Sequence, residues 1–313
     1  MRAGRVEVVD PDLSELTEQI ALDPQQFIGI PLALAGAVFL SLGAQFQHRG
    51  VVKVESHTTD SLGKGLSLKQ LALLLARPSW VLGTLMLGLA VVFQLSSLYF
   101  APLIVVQPLG AIALVITSIV NSKVNHVKLN RKAITAIALC VGGVFLFVGV
   151  AAFTAVDKPV TEQQLITILV ILAVVLVLAG LAFVFFRHRV RAIFYVIMAG
   201  VVYGFVATLA KVVLGRIQQG AFEWITLICV IALLAATGLG AYFVQNAYAS
   251  GPPDLVIAGL TVVDPMVAVA IGIIVLGEAS QAPIWAIPVF ILAGAIAVFG
   301  VFMLARNHPQ TRL

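Results

Sequence analysis

The sequence predicts an all-α polytopic membrane protein: nine transmembrane helices forming two inverted four-helix repeats joined by a linker helix. Three observations carry this. Apolar residues make up 61% of the 313 and charged residues 11%, with a mean hydropathy of +1.08, whereas a soluble chain of this size needs far more charge to cover its surface. Nine nearly uncharged runs each reach the about 20 residues that carry a helix through about 30 Å of hydrocarbon. Finally, features of the first half recur in the second half in the same order.

Residues 1–26 read as an acidic, polar N-terminal tail. Asp10-Pro11 can open a short surface helix there, with Leu13, Leu16 and Ile20 on one face. No basic region followed by an apolar stretch marks a secretory leader. The first repeat, 27–153, holds spans at 27–47, 79–100, 102–122 and 133–153. The uncharged run 79–122 is long enough for two of these. Ala101-Pro102 divides it, because the residue before a proline is pushed out of the helical region. The stretch 66–76 (LSLKQLALLLA) is too short and, at Lys69, too charged to span, so it is placed at the interface. A fifth span at 165–186 lies within the linker, 154–191. The second repeat, 192–305, holds spans at 192–214, 224–247, 253–276 and 283–304, and 306–313 is the tail.

Charge supports this layout. Fourteen of the 19 Lys and Arg residues fall on one side of the nine spans, four on the other, and Lys211 lies within a span. That asymmetry puts the N-terminus outside and the C-terminus in the cytoplasm of a cell-membrane protein. It also accounts for the net charge of +5 and pI near 9.4 without a nucleic-acid partner. Cys140 and Cys229 each sit in an apolar run and read as small core residues, not a disulfide. The five histidines are scattered without metal-ligand spacing. A phosphate-cradling glycine loop and a serine–histidine pair are both lacking. No enzyme activity, cofactor or metal site is therefore expected.

A displacement of 151 residues lays Pro102 on Pro253, Gly143 on Gly294 and Gly149 on Gly300. AGAVF (35–39) falls on AGVVY (199–203) at a displacement of 164, the difference being absorbed by the longer first loop. Five spans separate the two starts, an odd number, so the second copy is inverted. Inverted repeats place a substrate site between the halves near the bilayer midplane.

Candidate binding residues follow from polar groups inside apolar spans. Asp264 lies about 11 residues into its span beside Pro265, where an ionisable residue is expensive and reads as functional. Lys211, near the far end of the sixth span, reaches toward Asp264 or snorkels outward. Gln47, Gln94, Gln107, Gln245 and Asn246 serve as interhelical hydrogen-bond partners or cavity lining. Gln107 is the strongest of these, because Pro108 frees backbone carbonyls. Glu278, closing the eighth span, is assigned a helix-end or loop role at the non-cytoplasmic surface.

The run YFAPLIVVQPLGAIALVITSIVNSKVNHVKLN (99–130) resembles the third span of the NIPA-like magnesium transporters, a branch of the drug/metabolite transporter superfamily. QHRG (47–50), the RHR turn (187–189), TLAKVV (208–213) and QNAY (245–248) resemble it too, and Asp264 to Gly300, with its LGE, is similar to the closing half of an EamA-type repeat. The resemblance covers about 27–305 and implies a nine- or ten-helix transporter working by alternating access. On this alignment Val91 and Val127 stand where the family carries glutamates, Gln94 where it carries an asparagine, and Asp264 has no counterpart. The function expected first is therefore a secondary transporter for a small polar metabolite or lipid-linked group. A magnesium or divalent-cation transporter comes second, since Mg²⁺ favours carboxylate ligands, and a non-transporting scaffold third. Membrane lipid, a small-molecule or ion substrate and a second copy of the chain are the expected partners.

Overall fold

The computed structural model describes residues 26–55, 75–124, 130–186, 192–221, 223–251 and 253–306. Among them are nine helices long and apolar enough to cross a membrane, and no strand, as the sequence predicts. The acidic tail with its short helix, most of the 66–76 stretch, the RHR turn and residues 307–313 lie outside the described residues.

The helices are α1 (Gln26–Glu55), α2 (Pro78–Phe100), α3 (Leu103–Leu109), α4 (Ala111–Val124) and α5 (Arg131–Thr154), followed by α6 (Glu162–Phe186), α7 (Ala192–Gln218), α8 (Trp224–Ser250), α9 (Pro253–Ile271) and α10 (Ala286–Arg306). The division at Ala101-Pro102 falls as expected, with both residues extended at φ −138°, ψ 154° and φ −61°, ψ 155°. α3 and α4 make one span. Pro108 has no N–H to give to the preceding turn, and the chain tightens locally, the Gly110 N–H donating to the Gln107 carbonyl at 3.1 Å. The N-terminus of α5 is closed by Asn130, whose side chain accepts the Ala133 N–H at 2.7 Å. α9 runs on into a π turn, Gly272–Leu276.

Helix pairing is governed by small residues, as expected where lipid removes the hydrophobic drive and close approach decides the contact. α1 packs on α2 through Gly43 and Gly83, where a Cβ on Gly83 would lie 2.6 Å from the Gln47 nitrogen. α7 packs on both α8 and α9. α5 packs on α10, with Gly143 set against Ala293 and Ala297, and Gly300 against Ala136 and Cys140. α3 sits in the middle, touching α1, α5, α7 and α9, and Leu103, Ile104, Val105, Val106 and Leu109 are all buried. α2, α6 and α8 instead turn large apolar side chains outward, among them Leu85, Val177 and Leu234. Cys140 and Cys229 are buried and free.

Candidate functional site

The break at Ala101-Pro102 leaves the first N–H groups of α3 without helical acceptors. Glu278 supplies them. The Leu103 N–H donates to its Oε1 and the Ile104 N–H to its Oε2, each at 2.9 Å. Glu278 arrives there because α9 widens into the π turn and stops at Gly277, whose φ of +69° suits glycine. The Glu278 N–H then turns back to the Gly272 carbonyl at 3.0 Å. Gly272 must be small, since a Cβ there would lie 2.6 Å from the Glu278 Oε2. The Glu278 carbonyl accepts the Val156 N–H at 2.8 Å, which ties in the segment 155–161. The side chain does close a helix end, but not at the surface as the sequence led us to expect. It is 2% exposed, and the helix it closes is α3, not its own. Burial pushes its carboxyl up to about 7; the two α3 N–H groups and Lys211 oppose this rise, and Asp157 adds to it.

Lys211, 4% exposed, overturns the expected choice between Asp264 and outward snorkelling. Its ammonium donates to the Leu98 carbonyl at 2.9 Å, to the Ala101 carbonyl at 3.1 Å, and to the Asp157 carboxylate. The two carbonyls belong to the end of α2, where orphan acceptors and the helix dipole both favour a cation. Nearby, Arg216 donates to the Val160 carbonyl at 3.3 Å and pairs with Glu223 at 3.0 Å. Gln218 donates to the Tyr99 carbonyl at 2.7 Å, and Gln164 to the Val275 carbonyl at 3.1 Å. Ala101, Asp157, Val160, Glu223 and Glu278, from four connections at this end, are thus tied in by polar contacts, of which those of Glu278 with α3 and of Lys211 with the α2 carbonyls are buried.

Deeper in the bundle are two polar atoms that have no partner. Asp264 Oδ1 and Gln107 Nε2 are buried and unbonded. Gly200 and Gly204 let α7 lie against Val263, Val267 and the Asp264 backbone. A cavity of about 100 Å³ opens between α3–α4, α5, α9 and α10, lined by Pro108, Ala111, Phe147, Pro265, Met266 and Ala297 among others. Its walls are apolar, and Asp264 is not among them, because its side of α9 is turned to α7. Each unpartnered group adjoins one of the two cavity prolines.

The other candidates lie apart from these groups. Gln47 donates to Thr84 at 2.9 Å and joins α1 to α2. Gln94 is half-buried on α2 beside Gly36 of α1. Asn246 donates to the Tyr242 carbonyl of its own helix at 2.8 Å, and Gln245 is exposed. A signal tying Gln107 to Asp264 is present in the sequence at another displacement, 157. It lays VVQPLGAIA (105–113) on VVDPMVAVA (262–270), Gln107 on Asp264 and Pro108 on Pro265. The partners of Glu278 and Lys211 have no such local signal.

No family profile matches the chain, and no solved structure does. It is 25% identical to an uncharacterized protein of Corynebacterium glutamicum over 266 residues, 82% of this chain and 88% of that protein. It is 30% identical to a probable magnesium transporter, NIPA4, of Arabidopsis thaliana over 115 residues, 37% of this chain and 32% of that protein. The chain is a membrane-helical protein with weak similarity to a transporter.

Proposed function

We propose that the chain is a secondary transporter of the drug/metabolite type, moving a small metabolite across the cell membrane by alternating access between two inverted repeats. Helix pairing supports the repeats: α1 meets α2 as α7 meets α8, α1 meets α4 as α7 meets α9, and α5 joins α10 across the halves. The observation that carries the reading is Asp264, a carboxylate with an unbonded buried oxygen in a proline-bearing span, with unbonded Gln107 beside the corresponding proline of α3. A buried polar group left unpaired costs about 1–3 kcal/mol, so retaining two points to a ligand that satisfies them. A substrate with a cationic or hydrogen-bonding head suits the carboxylate. On this reading the polar-stitched end faces outward and is closed.

Purified protein in liposomes, screened for flux of small amines, amino acids and amphipathic metabolites, tests this. Asp264→Asn abolishes the flux that wild type supports. A variant that transports at the wild-type rate removes Asp264 from the mechanism. The similarity to a protein named a probable magnesium transporter favours a second reading, divalent-cation flux. Among the described residues, however, no three His, Cys, Asp or Glu side chains come together, so a cation would find Asp264 and neutral oxygens. Mg²⁺ entry that depends on Asp264 would put this reading first.

A further inference from the structure

The stitched end holds three ionisable side chains, of which Lys211 and Glu278 are sealed from water at 4% and 2% exposed while Asp157 lies part-buried at the edge, and their hydrogen bonds are countable. An ammonium has three N–H donors. Lys211 gives one each to Leu98, Ala101 and Asp157, so none remains for Glu278. Glu278 has two backbone N–H groups and no cation of its own. The cluster thus counts one cation and two carboxylates, and with both carboxylates ionised it would carry an uncompensated negative charge. Such a charge is costly to seal from water, and a group in that position takes a proton instead.

The charged groups around it do not change the count. Asp157, on the connection, is held by Lys211 of α7. Lys158 is exposed at the rim near Gly277. Arg216, further along α7, is committed to Glu223. α3 and the π turn present only backbone to the carboxylate.

The position of Glu278 matters as much as its charge. Through its side chain it holds the start of α3, and through its backbone the end of α9. These are the two segments that carry Gln107-Pro108 and Asp264-Pro265. Any motion separating the outer ends of α3 and α9 must pull this carboxylate off the α3 N–H groups and into water.

Building on the transporter reading above, we infer that Glu278 is the proton-binding site of the transport cycle: the outer end closes over a protonated Glu278 and reopens with the carboxylate ionised and hydrated. Each closure takes one proton from the outer solution onto a carboxylate oxygen, and each opening returns it. Acid therefore favours the closed end and alkali the open one, as linkage requires when the closed state binds the extra proton. The elevated carboxyl of Glu278 agrees with this direction.

Infrared titration of the full chain in detergent, wild type minus Glu278→Gln, reads the proton directly. A protonated-carboxyl band that disappears with a midpoint near pH 7 in wild type and is absent from the variant is the expected result. Hydrogen exchange at Leu103 and Ile104, corrected for intrinsic rate, reads the gate. It is several-fold slower at about pH 6 than at about pH 8 in wild type and equal at both in Glu278→Gln. Asp157→Asn provides a second test should Glu278→Gln not fold, since losing that charge moves the midpoint to lower pH. A difference spectrum without the band, exchange with the same pH dependence in both proteins, or a midpoint unmoved by Asp157→Asn overturns the assignment. Flux assays fail alone if the chain is not a transporter; the titration fails alone if Glu278 is not the proton site.

Discussion

Replacing Lys211 by Met keeps the apolar stem and removes the ammonium. Three acceptors then lose their donor: the carbonyls of Leu98 and Ala101, residues 1% and 0% exposed, and Asp157, whose side chain is 25% exposed. Removing one member of a buried ion pair costs about 3–5 kcal/mol, because the other charge stays behind. Water reaches Asp157, which pulls its share below that range, to about 2 kcal/mol. The two stranded carbonyls add about 1 kcal/mol each. The loss is about 4 kcal/mol, close to a thousandfold in the folded-to-unfolded ratio at 1.36 kcal/mol per decade. Thermal unfolding in detergent, followed by size-exclusion recovery, compares Lys211→Met, Asp157→Asn and the double variant. Lys211→Met is the least stable, and the double variant regains about 1 kcal/mol or more of its loss, because the stranded carboxylate is gone. Lys211→Met unfolding together with wild type, or a double variant as unstable as the sum of the singles, would show that the ammonium is not the central donor.

Gly204→Ala places a Cβ 2.7 Å from the Val267 Cβ and Gly200→Ala one 2.6 Å from the Val263 Cβ; each costs about 1–3 kcal/mol by overpacking, whereas Gly238→Ala, with nothing within 4 Å, leaves the melting temperature unchanged. Gly277→Ala, at φ +69°, loses about 1–2 kcal/mol from a left-handed position and weakens protection of the Leu103 and Ile104 amides. Glu278 is raised from 4.5 to about 7, so its contribution to stability is fully present below about pH 4.5 and fades as pH rises through about 7. At 1.36 kcal/mol per pH unit this amounts to about 3 kcal/mol, and Glu278→Gln flattens the pH dependence of unfolding in that window. Asp264→Asn abolishes flux and leaves the melting temperature near that of wild type, since it keeps a polar atom at the buried position that nothing bonds.

The spans were legible because length, apolarity and proline act locally. Ala101-Pro102 breaks the long run where the proline rule puts the break, and α5 begins beside Asn130, a residue suited to closing a helix. The cluster at the stitched end was not legible, because its partners come from remote positions. Glu278 meets N–H groups 175 and 174 residues away, and Lys211 meets Asp157 at 54. From the sequence, Asp157 is only an acid in a short connection, and Glu278 only the acid after a helix. The fold-back that buries Glu278 depends on a π turn, which apolar periodicity does not reveal. Asp264 and Gln107 stood out because a polar residue within an apolar span is visible in one dimension; the helix face each one occupies is not.

The widened turn at Gly272–Leu276 sets the rotational phase of everything after it. An α-helix advances about 100° per residue, and a π turn holds one residue more than the α pitch would. Deleting any single residue between 272 and 276 would restore ordinary pitch and swing the Leu-Gly-Glu segment about a third of the way round the axis, off α3. At Ile273 and Ile274 chain length is therefore more tightly constrained than chemistry: both point outward and can vary, but their number cannot.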